Sequence, residues 1–513
     1  MTQVAVAVAV AAPLALAGLR WLRVAQREHY LPGRARAIAG VWFRCSRGDA
    51  VAAGIGVALA VAAAATAPAL GGISAALAIP AAWLGALVPW GLSVRGRTSK
   101  LAWTGRLRRL AVVWAVVVLA LGAGLCWVLG VGAAALVAVT VPLTVDAALW
   151  VMERVEKRLS APFVARAQRR LARVRPKVVA VTGSYGKTST KGYIAHLLSG
   201  ARGVVASPAS FNNRLGLSRA VNDHLVDGTE VFVAEMGMFG PGEIRELCEL
   251  FPPDVAVITT IGEAHLERVG SREGILAAKS EITERAGVVV LPIDDPGLAA
   301  LADRCEAAGK RVIRCSVDSA TDLADVVVDL ASGQVRVGGT SLDLGEAVPH
   351  GVNLAVSLGV ALALDVEPSA LAPRLRGLPR AAHRAEVHIG PGVAVVDDTY
   401  NANPVGARAV LVEAARLAED RGGRLVVVTP GIVELGPVQR ERNADFAEAV
   451  VRAGGRLVVV GRTNRAALLA GAARAGAAAD VVDRREQGVS LATSVAGEKG
   501  VVLYENDLPD HSP

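Results

Sequence analysis

A chain of 513 residues is long enough for several domains, and its formal net charge of +8 stands beside 52% hydrophobic residues. Its five cysteines, Cys45, Cys126, Cys248, Cys305 and Cys315, form no CxxC pair, which argues against a zinc ribbon or a disulfide framework and fits a reduced cytosolic face. Apolar residues crowd into roughly the first 150 positions, whereas the rest mixes apolar and charged residues as soluble α/β domains do, so the chain reads as part membrane and part globular.

In chain order the candidate membrane spans come first: Val4 to Leu19, Ala50 to Leu70, Ala75 to Val94, Leu110 to Gly130 and Val131 to Met152. Each is near the roughly 20 residues that a bilayer requires. Met1, Thr2 and Gln3 offer no positive n-region, so the first stretch reads as an anchor and not as a signal peptide. Arg20, Arg23, Arg27, Arg34, Arg36, Arg44 and Arg47 fall between spans one and two, and Arg95, Arg97, Lys100, Arg106, Arg108 and Arg109 fall between three and four. The positive-inside rule makes both links cytoplasmic. The N-terminus is then outside and everything beyond Glu153 inside, in a multi-pass protein of the cytoplasmic membrane. Asp146, within the fifth span but close to its end, is expected to be a solvated interfacial carboxylate.

Residues 153–176 form a basic juxtamembrane linker after the transmembrane region 1–152. Its arginines are expected to lie along an anionic lipid surface, which attracts each nearby basic residue by about 1 kcal/mol. Phe163 is its one aromatic residue, too few for a base-stacking platform, so no nucleic acid is expected.

From Lys177 the runs KVVAVT, GVVAS, EVFVAEM, DVAVITT, GVVVLP and RVIRC alternate with helical stretches, the pattern of a mostly parallel sheet covered on both faces. The first run leads into VAVTGSYGKTST at 179–190. Such a strand–loop–helix aims backbone N–H groups and a helix dipole at an anion. Val181 stands where the usual Walker spacing has glycine, so this is the shorter GxxGK[ST] form. A second block after Pro379 carries VAVVDD, RLVVVT, GRLVVVG, ADVVD and GVVLYEN. Two α/β domains, 177–378 and 379–513, follow.

TGSYGKTST, FNNRLGLSRAV, EMGMFGPGEIREL, PPDVAVITTIGEAHLERVGSREGILAAKSEI, HRAEV, DDTYNANP and VELG occur in the order and approximate spacing of the Mur ligases, which residues 176 to 440 resemble. The resemblance implies a P-loop-type central ATPase domain and a Rossmann-like C-terminal domain. It also implies ATP-dependent amide formation through an acyl phosphate, with ATP and Mg²⁺ as cofactors. A small-molecule or lipid-linked carboxylate, an amino acid or peptide amine, the membrane and other cell-wall enzymes are the implied partners.

By the same resemblance Lys187 neutralises the β- and γ-phosphates and Thr188 ligates Mg²⁺, with Gly183, Ser184, Gly186 and Ser189 completing the loop. Glu235 and His265, each after a strand and so at the carboxyl edge of the sheet, hold a second Mg²⁺. Lys279, in the AKxE context, is expected to be carbamylated and to organise that metal. Asn353 is expected at the adenine, although its spacing from His350 is one residue shorter than the family's. Arg384 and Asp398 close over the nucleotide from the C-terminal domain. Asn212, Asn213, Tyr400, Asn401 and Asn403 are expected on the substrate side.

Two departures stand out. Membrane spans occupy the place of the family's sugar-nucleotide domain, and Tyr504, Glu505, Asn506, Asp507 and Leu508 replace a KGS-like turn. Extension of a cell-wall peptide precursor is the first reading. A poly-γ-glutamate-type synthetase is the second, and a non-ligase NTPase serving a transporter or scaffold is the third.

Overall fold

The valine-rich runs become strands because β-branched side chains suit a pleated surface covered on both faces. In the computed structural model, which describes residues 3–96, 101–208, 210–264, 266–345, 350–379, 386–390, 392–400, 402–509 and 511–513, nine strands make a first sheet. They are β1 (Lys177–Thr182), β2 (Val204–Ala206), β3 (Val231–Glu235), β4 (Val255–Ile258), β5 (Val288–Pro292), β6 (Arg311–Ser316), β7 (Val326–Asp329), β8 (Gln334–Val337) and β9 (Thr340–Asp343). Their order is β2-β3-β1-β4-β5-β6-β7-β8-β9. Pairing is parallel as far as β7 and antiparallel for β8 and β9.

Side chains alternate between the two faces of this sheet. Val178 and Ala180 of β1 join Phe232 and Ala234 of β3 in one core, under the helices Arg214–His224, Glu243–Leu250 and Arg272–Ser280. Val179, Val181, Val231 and Val233 point the other way, into a second core with the helices Lys187–Leu198 and Gly351–Ala363.

The second sheet contains β10 (Glu386–His388), β11 (Ala394–Asp398), β12 (Leu425–Thr429), β13 (Arg456–Val460), β14 (Asp480–Val482) and β15 (Val501–Glu505), in the order β10-β11-β15-β12-β13-β14. Only β10 runs antiparallel to its neighbour among these described strands. The strands expected from apolar runs are all present. Strands β8, β9 and β10 were not anticipated, because QVRV, TSLD and EVH carry no apolar run, and β7 was missed although VVVD is one.

The N-terminal helices depart from the five-span expectation in two places. Three helices have the length and composition of a span: Ala5–Arg27, Arg47–Thr66 and Gly105–Leu129. Gly71–Leu87 is shorter, and the last apolar stretch is bent by 76° between Val131–Val139 and Val141–Val174. The helix ends nevertheless gather on two sides. Arg20, near the end of the first helix, donates to the carbonyls of Ala86, Pro89 and Leu92, and Gln26 exchanges hydrogen bonds with Ala102 before the helix Gly105–Leu129. At the opposite side Gly130 approaches Ala67.

Three expectations about charge in this region are corrected. Arg20 and Arg23 do not lie in a link between helices but inside the first helix, buried, where they satisfy carbonyls of the turn at 86–93. Asp146 is not a solvated carboxylate. It is buried and accepts N–H bonds from Gly33 (2.9 Å), Ala35 (3.1 Å) and Arg36 (3.0 Å), capping the helix Arg34–Cys45 from a distant part of the chain. Residues 153–176 are not a separate surface strip. The helix Val141–Val174 runs without a break from the apolar region into the first sheet's core, where Ala167 and Leu171 are buried and Arg170 donates to the carbonyls of Leu225 (2.6 Å) and Asn222 (2.8 Å).

Candidate active site

Strand β1 ends at Thr182, and the chain turns through Gly183 and Gly186 before the helix Lys187–Leu198. Both glycines have positive φ, +152° and +78°. A Cβ on Gly183 would stand 1.9 Å from Thr259 Oγ1, and one on Gly186 would stand 2.2 Å from Asn353 Oδ1. No larger residue fits either place. The loop is pinned from the end of β4: Ser184 N donates to Thr260 O (2.8 Å), Tyr185 N to Thr260 Oγ1 (3.2 Å) and Gly262 N to Ser184 Oγ (3.0 Å). The hydroxyl of Ser184 thus braces the loop, while the first turn of the following helix, with Thr188 and Ser189, presents N–H groups at its mouth.

Four charged side chains converge at this mouth. Lys187 Nζ folds back onto Gly183 O at 2.7 Å, and Lys279 Nζ, from the helix Arg272–Ser280, reaches the same carbonyl at 2.9 Å. Lys279 is only 1% exposed. Burial, and then the neighbouring Lys187 cation, hold its pKa well below the ordinary lysine value. Glu235, at the carboxyl end of β3, is also buried. Its Oε2 accepts from Thr188 Oγ1 (3.1 Å) and Lys191 Nζ (2.9 Å), and its Oε1 from Asn212 Nδ2 (3.1 Å). Burial pushes this carboxyl up, but Lys191 and Lys187 outweigh it and hold the pKa below the ordinary glutamate value.

Lys191 was not anticipated. It lies four residues after Lys187 on the same helix, so helical spacing was the available signal. A second unanticipated feature joins the two sheets. Arg442 makes a bidentate pair with Glu263 (3.0 and 2.7 Å), Arg268 pairs with Glu434, and Glu267 N donates to Glu434 O at 3.3 Å.

The other expected residues divide. Asn353 sits at the start of the helix Gly351–Ala363, buried against Gly186, and so touches the loop itself. Asn212 reaches Glu235, whereas the side-chain oxygen of Asn213 caps the helix Arg214–His224 through Gly216 N (2.9 Å). Asn403 likewise caps the helix Pro404–Asp420 through Gly406 N (2.8 Å). Asp398 ends β11 in register with Glu505 of β15, and Tyr400 is exposed. His265, Arg384 and Asn401 lie outside the described residues.

Among the described residues no group of three metal-ligating side chains gathers. Thr188 and Glu235 nevertheless bring two oxygen donors within 3.1 Å of each other, the donor type that a hard cation takes.

Residues 181–347 match the family model "Mur ligase middle domain", and residues 383–504 match "Mur ligase, glutamate ligase domain". The UDP-N-acetylmuramoyl-tripeptide–D-alanyl-D-alanine ligase of Mycobacterium leprae is 37% identical over 263 residues, 47% of this chain and 50% of that protein. The protein of the same name from Bacillus subtilis is 32% identical over 270 residues, 51% of this chain and 58% of that protein. This chain therefore spans between 50% and 58% of the length of these two relatives. Among solved structures, the MurF ligase of Thermotoga maritima in complex with ADP is 27% identical with a TM-score of 0.55, over 67% of this chain and 79% of that one. MurF of Acinetobacter baumannii is 25% identical with a TM-score of 0.56, over 68% and 77%.

Proposed function

We propose a function for a chain that belongs to the Mur ligase family through its middle and C-terminal domains: it is an ATP-dependent, ADP-forming ligase that joins a carboxylate to an amine through an acyl phosphate, on a cell-wall peptide precursor at the inner face of the cytoplasmic membrane. The observation that carries this reading is the convergence of Lys187, Thr188, Lys191, Glu235 and Lys279 at one edge of a parallel sheet, beside a glycine loop. The Mycobacterium leprae and Bacillus subtilis relatives have D-alanyl-D-alanine ligation in their names, and the MurF ligase of Thermotoga maritima was solved with ADP.

In this reading the loop at 183–188 is a short phosphate-binding loop. Its N–H groups and Lys187 hold the β- and γ-phosphates, so Lys187 leaves Gly183 O for the nucleotide. Catalysis of this kind is mainly positioning and charge control, because a carboxylate must approach an anionic phosphoryl group. A carboxylate oxygen of the acid attacks the γ-phosphorus, and the bond to the β-phosphate oxygen breaks as ADP departs. The amine then attacks the acyl carbon, inorganic phosphate leaves, and the amine loses a proton. Lys191 and Asn212 fix the orientation of Glu235 throughout.

Thr188 and Glu235, with His265, would hold Mg²⁺, which supplies charge neutralisation between the phosphates and the acid when bound. Lys279 is assigned as a carbamate. Its burial and its cationic neighbour favour the neutral amine that reacts with CO₂. In this reading Arg384 and Asp398 would approach the nucleotide from the Rossmann-like C-terminal domain, with Tyr400, Asn401 and Asn403 on the substrate side. Closure of the two units, held by Arg442 with Glu263, keeps water from the acyl phosphate.

The region 1–152 anchors this machinery through its apolar helices, with 153–176 continuing as a helix into 177–378, followed by 379–513. The gathering of Arg20 and Gln26 with Ala86, Pro89, Leu92 and Ala102 on one side supports an external N-terminus and cytoplasmic ligase domains. Product analysis after incubation with ATP, Mg²⁺ and membrane extract tests the whole reading. ADP formed together with an amide product is expected. AMP with pyrophosphate, or ATP turnover with no ligated product, would remove it, and a γ-glutamyl polymer would replace the cell-wall substrate with poly-γ-glutamate.

A further inference from the structure

The helix Arg34–Cys45 does not lie flat against the second sheet. Between them is a cleft of about 1130 Å³, walled on one side by Ile38, Val41 and Cys45 and on the other by the segments that follow β12 and β13. It reaches Glu267, three residues after Ala264, whose N–H donates to the Tyr185 hydroxyl of the glycine loop at 3.1 Å.

The charges in this cleft do not cancel. Arg34 is paired with Glu28 and Glu434, and Arg465 with Asp483 (2.7 Å). That leaves Arg44, Arg440 and Arg462, all exposed and without a carboxylate at ion-pair distance among the described residues. Asp483 feels Arg462 but is bound by Arg465. Arg44 and Arg462 come from parts of the chain more than 400 residues apart, yet both act on Cys45, whose thiol donates to Thr463 O at 3.8 Å. Bringing like charges together across an interface costs energy, and an anion between them reverses the sign. Guanidinium groups suit phosphate oxygens in bidentate geometry. The same helix offers an apolar wall next to the spans Ala5–Arg27 and Arg47–Thr66.

We infer that this cleft binds the diphosphate of the acid substrate, with Arg44, Arg440 and Arg462 as its counter-charges and Ile38 and Val41 against an apolar chain. The inference rests on the ligase reading for what the diphosphate carries. The diphosphate belongs either to a polyprenyl lipid or to a soluble nucleotide sugar, and the apolar wall favours the lipid.

The test uses the full chain in phosphatidylcholine nanodiscs with saturating ADP and Mg²⁺, so that the loop at 183–188 is occupied, and titrates inorganic diphosphate calorimetrically. The wild type should bind it, and Arg44→Ala and Arg462→Ala should each weaken binding by about 10-fold, the loss of one charge-assisted contact. Equal binding by the wild type and the doubly substituted chain would overturn the inference. ADP binding, measured on every variant, reports folding of the first sheet. Failure of the wild type to bind ADP while diphosphate still binds in an arginine-dependent way would sink the ligase reading and leave the cleft standing. Two further arms replace inorganic diphosphate with a polyprenyl diphosphate in the nanodisc or with a soluble nucleoside-diphosphate sugar. Tighter arginine-dependent binding of the first assigns the lipid source, and of the second the soluble one.

Discussion

Both the helical N-terminal region and the first sheet bury charged groups, but they satisfy them differently. In the helical region Arg20 and Arg23 end on main-chain carbonyls, and Asp146 ends on main-chain N–H groups. At the edge of the sheet Lys191 and Glu235 end on each other, while Lys187 and Lys279 crowd onto one carbonyl. A buried charge answered by backbone stabilises a shape. Buried charges that face one another across a loop built for close approach supply a site, because their arrangement changes when an anion or cation arrives.

The largest expected effect breaks this contrast on the side of the site. Lys187→Ala should lower ligation by a factor on the order of 10³ without altering membrane insertion, since it sits after β1 and not on a candidate span. Rate assays with carbonate extraction of membranes measure both, and near-wild-type ligation would end the phosphate-loop assignment.

Lys279→Ala should lose activity almost as completely, and acetate or formate should restore part of it, because a small carboxylate replaces the oxygens of the carbamate. Lys279→Arg should stay inactive, since it keeps a positive charge. An arginine variant as active as the wild type would make Lys279 a structural lysine.

Asp146→Ala sharpens the other side. It removes three acceptor contacts and leaves buried N–H groups unpaired, so it should destabilise the helical region by about 2 kcal/mol. ADP binding to the loop, which lies outside that region, is expected to persist. Thermal unfolding in detergent, followed separately by helix signal and by binding of a fluorescent ADP analogue, distinguishes the two.

The smallest effect concerns Glu505, fully buried in β15 with one oxygen unpartnered among the described residues. Burial, and then Asp398, raise its pKa well above the ordinary value. The folded state therefore keeps a proton that the unfolded chain releases. The stabilisation is complete below the unfolded glutamate value and is lost as pH rises through the folded one. Glu505→Gln should gain on the order of 1 kcal/mol at neutral pH relative to the wild type and flatten this dependence. Steeper loss of stability with rising pH in the variant would contradict the assignment.

How much of this was legible in the sequence depended on whether the signal was local. KVVAVT and EVFVAE announce strands by composition, and GSYGKTST announces a turn that needs glycine, so the loop and the edge position of Glu235 could be read directly. Asp146 could not, because the N–H groups it caps lie over a hundred residues earlier and no local pattern records the pairing. Arg20 and Arg23 were misplaced for a related reason. Basic residues after an apolar run look like a cytoplasmic link, and only packing shows that the helix continues through them. Asn212 and Asn213 are adjacent and chemically identical, yet one reaches Glu235 and the other caps a helix, a division made by backbone direction alone.

The most direct test of the central claim is to trap the acyl phosphate. Incubated with ATP, Mg²⁺ and membrane extract as the source of acid, and with hydroxylamine as the amine, the wild type should form an acyl hydroxamate in step with ADP, and Lys187→Ala should form neither. ADP release with no hydroxamate, or hydroxamate formed with AMP and pyrophosphate, would contradict an acyl-phosphate ligase.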